Sequence, residues 1–213
     1  NQGTIKAAED VNFTLERGDS LGIVGESGSG KSTLALSILK LLPPQAQIKS
    51  GEVVYDGKDI LSLNEKELDL MVRWKKISFV FQSAMTGLNT VFRVGSQIVE
   101  AIQTHDKRVG KEEAWNRVET LLELVGIDRS RAKSYPHELS GGTKQRAFIA
   151  MALACNPEIL IADEPTTALD VLIEAQIITL LRELKRKLDL TIIMISHDLS
   201  LIAQVCNKVL VMY

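Results

Sequence analysis

The feature that most constrains the fold of this 213-residue chain is a glycine-rich segment that lies between two apolar stretches. An apolar run, Leu21–Val24, precedes it, and a helix is predicted after it, to about Leu41. Glycines let the backbone turn so that successive N–H groups point inward, toward the positive end of the helix. Such a strand–loop–helix unit is typical of phosphate binding. The segment fits G-x-x-x-x-G-K-[ST] and comprises Gly25, Glu26, Ser27, Gly28, Ser29, Gly30, Lys31 and Ser32.

The residue types in this segment predict ATP and Mg²⁺ as ligands. Lys31 is suited to place a positive charge on the outer phosphates, and the Ser32 hydroxyl is suited to coordinate Mg²⁺. We include Thr33 with the segment as an expected ATP-binding residue. The alternative is a chance glycine-rich turn, but the strand before the segment and the helix after it favour a nucleotide site.

An acidic strand end forms the second motif. The apolar run Ile159–Ala162 leads into Asp163 and Glu164. A buried parallel strand delivers the residue at its carboxyl end to the ligand crevice, so Asp163 is expected to hold Mg²⁺. Glu164 is then placed to act as a general base toward the attacking water. The alternative is a strand that runs into a surface turn; beside a phosphate loop, the pattern favours ATP hydrolysis.

A second glycine-rich segment lies between these two motifs. Ser140, Gly141 and Gly142 precede a helix predicted at Lys144–Leu153. No lysine is positioned in it as Lys31 is in the first loop, and one ATP cannot use both loops unless they meet. The pattern therefore indicates a composite site in which another subunit donates the second loop. The alternative is a simple helix N-cap with a glycine turn.

The remaining pattern predicts an α/β fold. Apolar runs on both faces are typical of a parallel sheet covered by helices, and short strand-like segments predict a small antiparallel layer. The runs predicted for the parallel sheet are Leu21–Val24, Ile77–Phe81, Ile159–Ala162 and Thr191–Ile195, with Val209–Met212 as a further strand. The strands predicted for the antiparallel layer are Thr4–Glu16 and Glu52–Tyr55. In the first of these, Phe13 alternates with its neighbours as a core residue would.

Helical signals dominate the middle of the chain. Apolar residues recur at three and four positions in Lys111–Val125 and in Val171–Leu188, which predicts amphipathic helices. Strand signals vanish between about Ser83 and Leu139. We therefore expect one domain: a P-loop NTPase core with a mostly parallel sheet, built from residues 1–82 and 140–213, an antiparallel β subdomain, and a helical subdomain inserted at residues 83–139.

Composition narrows the possible partners. The formal net charge of −2 gives no basic field for nucleic acid, so no nucleic-acid partner is expected. Cys155 and Cys206 are expected to be buried, reduced thiols, which suggests a cytosolic compartment. The chain begins without a methionine and stops directly after a strand-like run, so we expect a fragment of a longer protein.

With its three motifs in this order, the chain resembles the nucleotide-binding domain of ATP-binding cassette (ABC) transporters over essentially its whole length. The family's signature loop is Leu-Ser-Gly-Gly-Gln, and here its last position is Thr143. The resemblance implies a head-to-tail dimer with two ATP molecules at the interface. Ser140, Gly141 and Gly142 would contact the ATP of the partner, together with Asp170 in a loop that crosses the interface.

The resemblance also assigns two smaller elements. Gln82 resembles the family glutamine that touches Mg²⁺ and water and senses the membrane partner. His197 resembles the switch histidine at the γ-phosphate, whereas His105 and His137 are expected to be surface or structural residues. The implied catalytic residues are thus Glu164, His197 and Gln82, and the implied metal ligands are Ser32, Gln82 and Asp163.

A finer resemblance is to the oligopeptide, dipeptide and nickel importer branch, carried by Phe81–Asn89 and by Tyr135–Glu138. It implies a groove at Phe81–Asn89 that receives an integral membrane permease subunit at the cytoplasmic face of the membrane; the alternative is an irregular linker. An extracytoplasmic binding protein would act indirectly. The cargo would be peptides, oligosaccharides or nickel, and the partner ATPase domain an identical or a related chain.

Two questions stay open at this stage. The family places an adenine-stacking aromatic residue upstream of the phosphate loop, but none occurs in Asn1–Asn12. Either that residue precedes the sequence or adenine is bound weakly.

Three alternative functions are considered. A DNA-repair ATPase is disfavoured because no coiled coil separates the motifs, and a translation factor is disfavoured because no second cassette is present. The third alternative is a non-catalytic ATP-binding regulator.

Overall fold

The computed structural model describes residues 5–82 and 87–213, and its centre is a five-stranded parallel sheet. The strand order is β4-β5-β6-β1-β7, so chain neighbours are not always sheet neighbours. The five runs predicted for the parallel sheet all form strands, which confirms the α/β assignment. Their bounds are β1 Ser20–Gly25, β4 Ile77–Val80, β5 Ile159–Asp163, β6 Thr191–Ile195 and β7 Lys208–Met212.

Alternation along the strands gives the sheet two buried faces. Leu160 and Ile192 belong to one hydrophobic cluster, whereas Ile161 and Ile193 belong to a second cluster on the opposite face. Helices cover both faces, which explains why the strands are apolar throughout. The described residues contain seven α-helices: α1 Lys31–Ile38, α2 Glu65–Met71, α3 Val94–His105, α4 Lys111–Leu124, α5 Gly141–Ala152, α6 Val171–Leu188 and α7 Leu199–Val205.

Helix boundaries follow capping more than periodicity. Helix α6 has the predicted bounds because Asp170 caps its start and left-handed Asp189 ends it. Helix α1 stops before the predicted Leu41, since Lys40 is left-handed and the Leu41 N–H closes the last turn on the Leu36 carbonyl. Helix α5 begins three residues before the predicted Lys144, because Ser140 caps it.

The antiparallel layer is smaller than predicted. It consists of β2 (Val54–Tyr55) and β3 (Lys58–Asp59), joined by a two-residue turn. The prediction of a strand at Thr4–Glu16 is wrong for residues 5–16, which contain no strand. Asp10, with a φ of 55°, interrupts the extended backbone there. Phe13 is accordingly 38% exposed rather than a core residue.

Residues 94–139 are helical and contain α3, α4 and two 3₁₀ helices, Arg129–Lys133 and Pro136–Glu138. Their apolar residues join the cluster on one face of the sheet. Buried Gln97 fixes the segment before α3: its Oε1 accepts from the Asn89 N–H, and its Nε2 donates to the carbonyls of Asn89 and Phe92. In the part of the chain that the structure describes, no helix is long and apolar enough to cross a membrane.

Candidate nucleotide site

The glycine-rich loop connects β1 to α1, and its backbone at two points has a conformation that favours glycine. Gly28 and Gly30 have φ values of 88° and 91°. At Gly30 a side chain would also collide with the chain, since a Cβ would lie 1.9 Å from the carbonyl oxygen of Ala7. The N-cap of α1 is this glycine, so no side chain occupies the first N–H groups of the helix. The helix N-terminus is therefore free to accept an anion.

Lys31 lies folded across this loop. Its side chain is buried, and its ammonium group donates to the carbonyl oxygens of Gly25 and Glu26 at 2.8 and 2.7 Å. These two contacts place the positive charge inside the loop. Ser32 follows on the first turn of α1, half-buried beside the end of β5.

Asp163 is the last residue of β5 and is only 5% exposed. Burial raises the pKa of its carboxyl, and the charge of Glu164 adds to this, whereas the Ser32 hydroxyl and the Lys31 ammonium oppose it. Its Oδ1 atom is buried and has no hydrogen-bond partner among the described residues. A buried, unpaired carboxylate oxygen beside a serine hydroxyl fits Mg²⁺, which prefers hard oxygen ligands.

Glu164 is the centre of a small hydrogen-bond network. Its Oε2 accepts from the Thr167 hydroxyl at 2.7 Å and from Nε2 of Gln82 at 3.4 Å. Its Oε1 lies 3.2 Å from Nδ1 of His197. Burial raises the pKa of Glu164, but the hydrogen bonds from Thr167 and His197 and the nearby positive charges outweigh burial, so the pKa is lowered overall. The carboxylate is thus held in its ionised, proton-accepting form.

Strand register brings Glu164 and His197 together. Strands β5 and β6 pair in parallel with Asp163 opposite Ile195, and the Glu164 N–H donates to the Ile195 carbonyl at 3.0 Å. Strand β1 is the other neighbour of β6, so the phosphate loop leaves the same edge of the sheet. The two sequence motifs and the histidine therefore converge at the carboxyl ends of three adjacent strands.

The second glycine-rich loop lies elsewhere in the chain. The Ser140 hydroxyl accepts from the Thr143 N–H at 3.3 Å and caps α5, while Gly142 packs against Ile173 of α6. Asp170 caps α6 by accepting from the Ile173 N–H at 3.0 Å. Among the described residues, no hydrogen bond joins Ser140–Gly142 or Asp170 to the loop Gly25–Ser32.

Three further predictions from the sequence concern two histidines and the permease groove. His105 stacks on Trp74 and His137 stacks on Tyr135, so both have structural contacts. Four residues of the expected permease groove, Ser83 to Thr86, lie outside the described residues. The sequence analysis missed Thr167, whose hydroxyl makes the shortest hydrogen bond to the Glu164 side chain among the residues that the structure describes. Its signal was available: a hydroxyl three residues after a strand-end glutamate can fold back onto it across one turn.

Together these features define a P-loop nucleotide-binding fold with an acidic strand end and a histidine at one sheet edge. The family model for ABC transporters matches residues 8–167, and the chain belongs to this family. The oligopeptide transport ATP-binding protein OppD of Bacillus subtilis is 51% identical over 99% of this chain and 59% of its own length. OppD of Escherichia coli is also 51% identical, over 99% and 62%. The chain thus spans about three fifths of these relatives.

Solved structures show the same fold. The ATP-binding cassette MJ0796, in a dimeric post-hydrolysis state bound to ADP and Pi, superposes with a TM-score of 0.84 at 31% identity. The alignment covers 100% of this chain and 88% of that one. A second dimeric structure of MJ0796 gives the same TM-score at 32% identity.

Proposed function

We propose that this chain is the ATP-hydrolysing subunit of an importer for peptides. The observation that carries the proposal is the meeting of Glu164 and His197 at the sheet edge from which the loop Gly25–Ser32 also leaves. The names of the similar proteins support a transport role and peptides as cargo. A translation factor or a DNA-repair ATPase has no comparable support.

In this proposal the loop residues from Gly25 to Thr33 bind the phosphates of ATP through backbone N–H groups, with Lys31 as the positive charge. Ser32, Asp163 and Gln82 would hold Mg²⁺, which neutralises phosphate charge when it is bound. The unpaired, buried Oδ1 atom of Asp163 supports this ligand set.

Glu164 acts as the general base. The pKa of its carboxyl is lowered, so at neutral pH it is ionised and accepts a proton from the water that attacks the γ-phosphate. His197 is exposed beside it and donates from Nδ1 to Oε1, because an ionised carboxylate can only accept. His197 thereby orients the base and faces the γ-phosphate.

Each site is completed by a second ABC domain, either an identical or a related chain. Ser140, Gly141, Gly142 and Asp170 would contact the ATP of the partner. Two observations support this arrangement. Among the described residues no hydrogen bond joins the two glycine-rich loops, and the similar cassette MJ0796 is dimeric. Nucleotide-driven pairing would move the core, residues 1–82 and 140–213, and the helical subdomain, residues 83–139.

The movement would be passed to integral membrane permease subunits at the cytoplasmic face of the membrane, through Gln82 and the segment that follows it. Exposed Val91 and Phe92 lie on the described side of that segment and would contribute apolar contact area. An extracytoplasmic binding protein would then act only through the permease.

Phosphate release from ATP by the purified protein tests the enzymatic part. Hydrolysis that requires Mg²⁺ and is lost in Lys31→Ala, but persists in Lys49→Ala, is the expected result. Lys49 is an exposed lysine whose side chain bonds only to Gln47 among the described residues, so it controls for loss of a positive charge. Equal activity of both variants would contradict the assignment of the ATP site to the loop that contains Lys31.

Binding of the protein to a detergent-solubilised peptide permease tests the transport part of the proposal. Failure to bind would contradict the importer role.

A further inference from the structure

Of the described side chains, Thr167 makes the shortest hydrogen bond to the carboxylate of the proposed general base, Glu164. The hydroxyl donates to Oε2 of Glu164 at 2.7 Å, whereas the contacts of Gln82 and His197 with the same carboxylate are 3.4 and 3.2 Å. A glutamate side chain has three rotatable bonds, so a strong contact is needed to fix its carboxylate. The Thr167 bond is the best candidate for that contact.

The backbone holds the two side chains in place for this bond. Glu164 is left-handed, with a φ of 46°, and the Thr167 N–H closes a turn on the Glu164 carbonyl at 3.2 Å. The Leu169 N–H then closes a second turn on Thr166, which is buried. Threonine is β-branched and stiff at χ1, so its hydroxyl keeps one direction. Both partners are therefore fixed before substrate arrives.

Within residues 5–82 and 87–213, the contacts leave one hydrogen-bonding position on the Glu164 carboxylate open. Each carboxylate oxygen accepts about two hydrogen bonds. Among the described residues, Oε2 receives two, from Thr167 and Gln82, whereas Oε1 receives one, from His197. The proton of the attacking water is then directed to Oε1.

We propose that Thr167 is a positioning residue for ATP hydrolysis, which holds the carboxylate of Glu164 so that Oε1 faces the attacking water. The inference rests on the proposed function. It also connects the base to the loop Ala168–Asp170, since Thr167 immediately precedes that loop and Ala168 is itself left-handed. A displacement of this loop would rotate Thr167 and so change the orientation of the Glu164 carboxylate.

The test compares Thr167→Val, which keeps the shape and loses the hydroxyl, with Thr167→Ser, which keeps the hydroxyl. Thr179→Val is the matched control, because Thr179 is an exposed threonine whose hydroxyl bonds to the Ala175 carbonyl in α6. We expect Thr167→Val to lower kcat about tenfold with KM for ATP within about twofold. Thr167→Ser should stay within about threefold of the parent protein, and Thr179→Val should be unchanged.

The proposal is overturned if Thr167→Val hydrolyses ATP as fast as Thr179→Val. It is also overturned if Thr167→Ser falls as far as Thr167→Val, or if both lose thermal stability and ATP affinity together, since these results indicate a structural role. Failure of the proposed function has a different signature: the parent protein would hydrolyse ATP no faster than Glu164→Gln. In that case no base exists for Thr167 to position.

Discussion

Nδ1 of His197 lies 3.2 Å from Oε1 of Glu164, although 33 residues separate the two side chains in the sequence. The contact depends on the parallel register of β5 and β6, because the Glu164 N–H bonds to the Ile195 carbonyl two residues before the histidine. The geometry of this pair is thus fixed by the backbone of the sheet.

Ser140 has one observed and one proposed role, and substitution can separate them. Its side chain caps α5, and in the proposed composite site it would also contact the γ-phosphate of the partner's ATP. Ser140→Asp keeps the cap but places a negative charge near the phosphate. We expect thermal stability and ATP binding by the single chain to be unchanged. ATP hydrolysis should fall at least about tenfold. Melting curves, nucleotide titration and phosphate release measure these three properties.

Ser140→Ala serves as the comparison variant. It lacks the cap and should lose about 1 kcal/mol of stability, but it adds no negative charge and should hydrolyse ATP faster than Ser140→Asp. If Ser140→Asp abolishes ATP binding to the single chain, the second loop belongs to the same site as Lys31, and the composite arrangement is wrong.

Gly30→Ala should damage the phosphate loop. Its φ of 91° and the 1.9 Å approach of a Cβ to the Ala7 carbonyl oxygen both oppose a side chain. We expect a loss of about 1–3 kcal/mol in the free energy of unfolding, with weaker ATP binding because the loop shifts. Chemical denaturation and nucleotide titration measure both effects.

Gly110→Ala is the control for Gly30→Ala. Gly110 caps α4 with a φ of −68°, and a Cβ there meets no atom within 4 Å. Loss of this N-cap glycine should cost less than about 1 kcal/mol of stability and leave ATP binding intact. A Gly30→Ala protein as stable and as active as Gly110→Ala would refute the backbone requirement.

Asp163→Asn should stabilise the protein without ligands and weaken its stabilisation by Mg²⁺ and ATP. Burial raises the pKa of Asp163, so its ionised form at neutral pH destabilises the folded state. The neutral amide removes that cost, and the melting temperature without nucleotide or metal should rise. The increase in melting temperature on adding Mg²⁺ and ATP should shrink, since the charge of a proposed Mg²⁺ ligand is lost. A lower melting temperature without ligands would contradict the assignment.

The two cysteines should react slowly in the folded protein. Both cysteines are half-buried rather than fully buried, and this partial burial raises the pKa of Cys155 to about 11 and that of Cys206 to about 12. Thiolate is the reactive form, so at pH 8 little of either thiol is available for alkylation. Mass spectrometry after iodoacetamide treatment should find both cysteines unlabelled before unfolding and labelled after it. Rapid labelling of the native protein would contradict this.

The sequence predicts the parts of the site that depend on local pattern. The loop Gly25–Ser32 and the strand end at Asp163 are set by glycine, apolar and acidic positions within single elements. The strand predicted at Thr4–Glu16 failed because alternation alone supplies no pairing partner, and Asp10 interrupts it. The spacing of Thr167 three residues after Glu164 is visible in the sequence, but the direction of its hydroxyl depends on the left-handed turn at Glu164, which the spacing does not report.

The most direct test of the account is Glu164→Gln, which keeps the shape of the side chain and removes its ability to accept a proton. ATP affinity should stay within a few-fold of the parent protein, while the rate of phosphate release should fall at least about 100-fold. Parallel titration with ATP and single-turnover measurement of phosphate release give both quantities. Release within about twofold of the parent rate would contradict the assignment of Glu164 as the base.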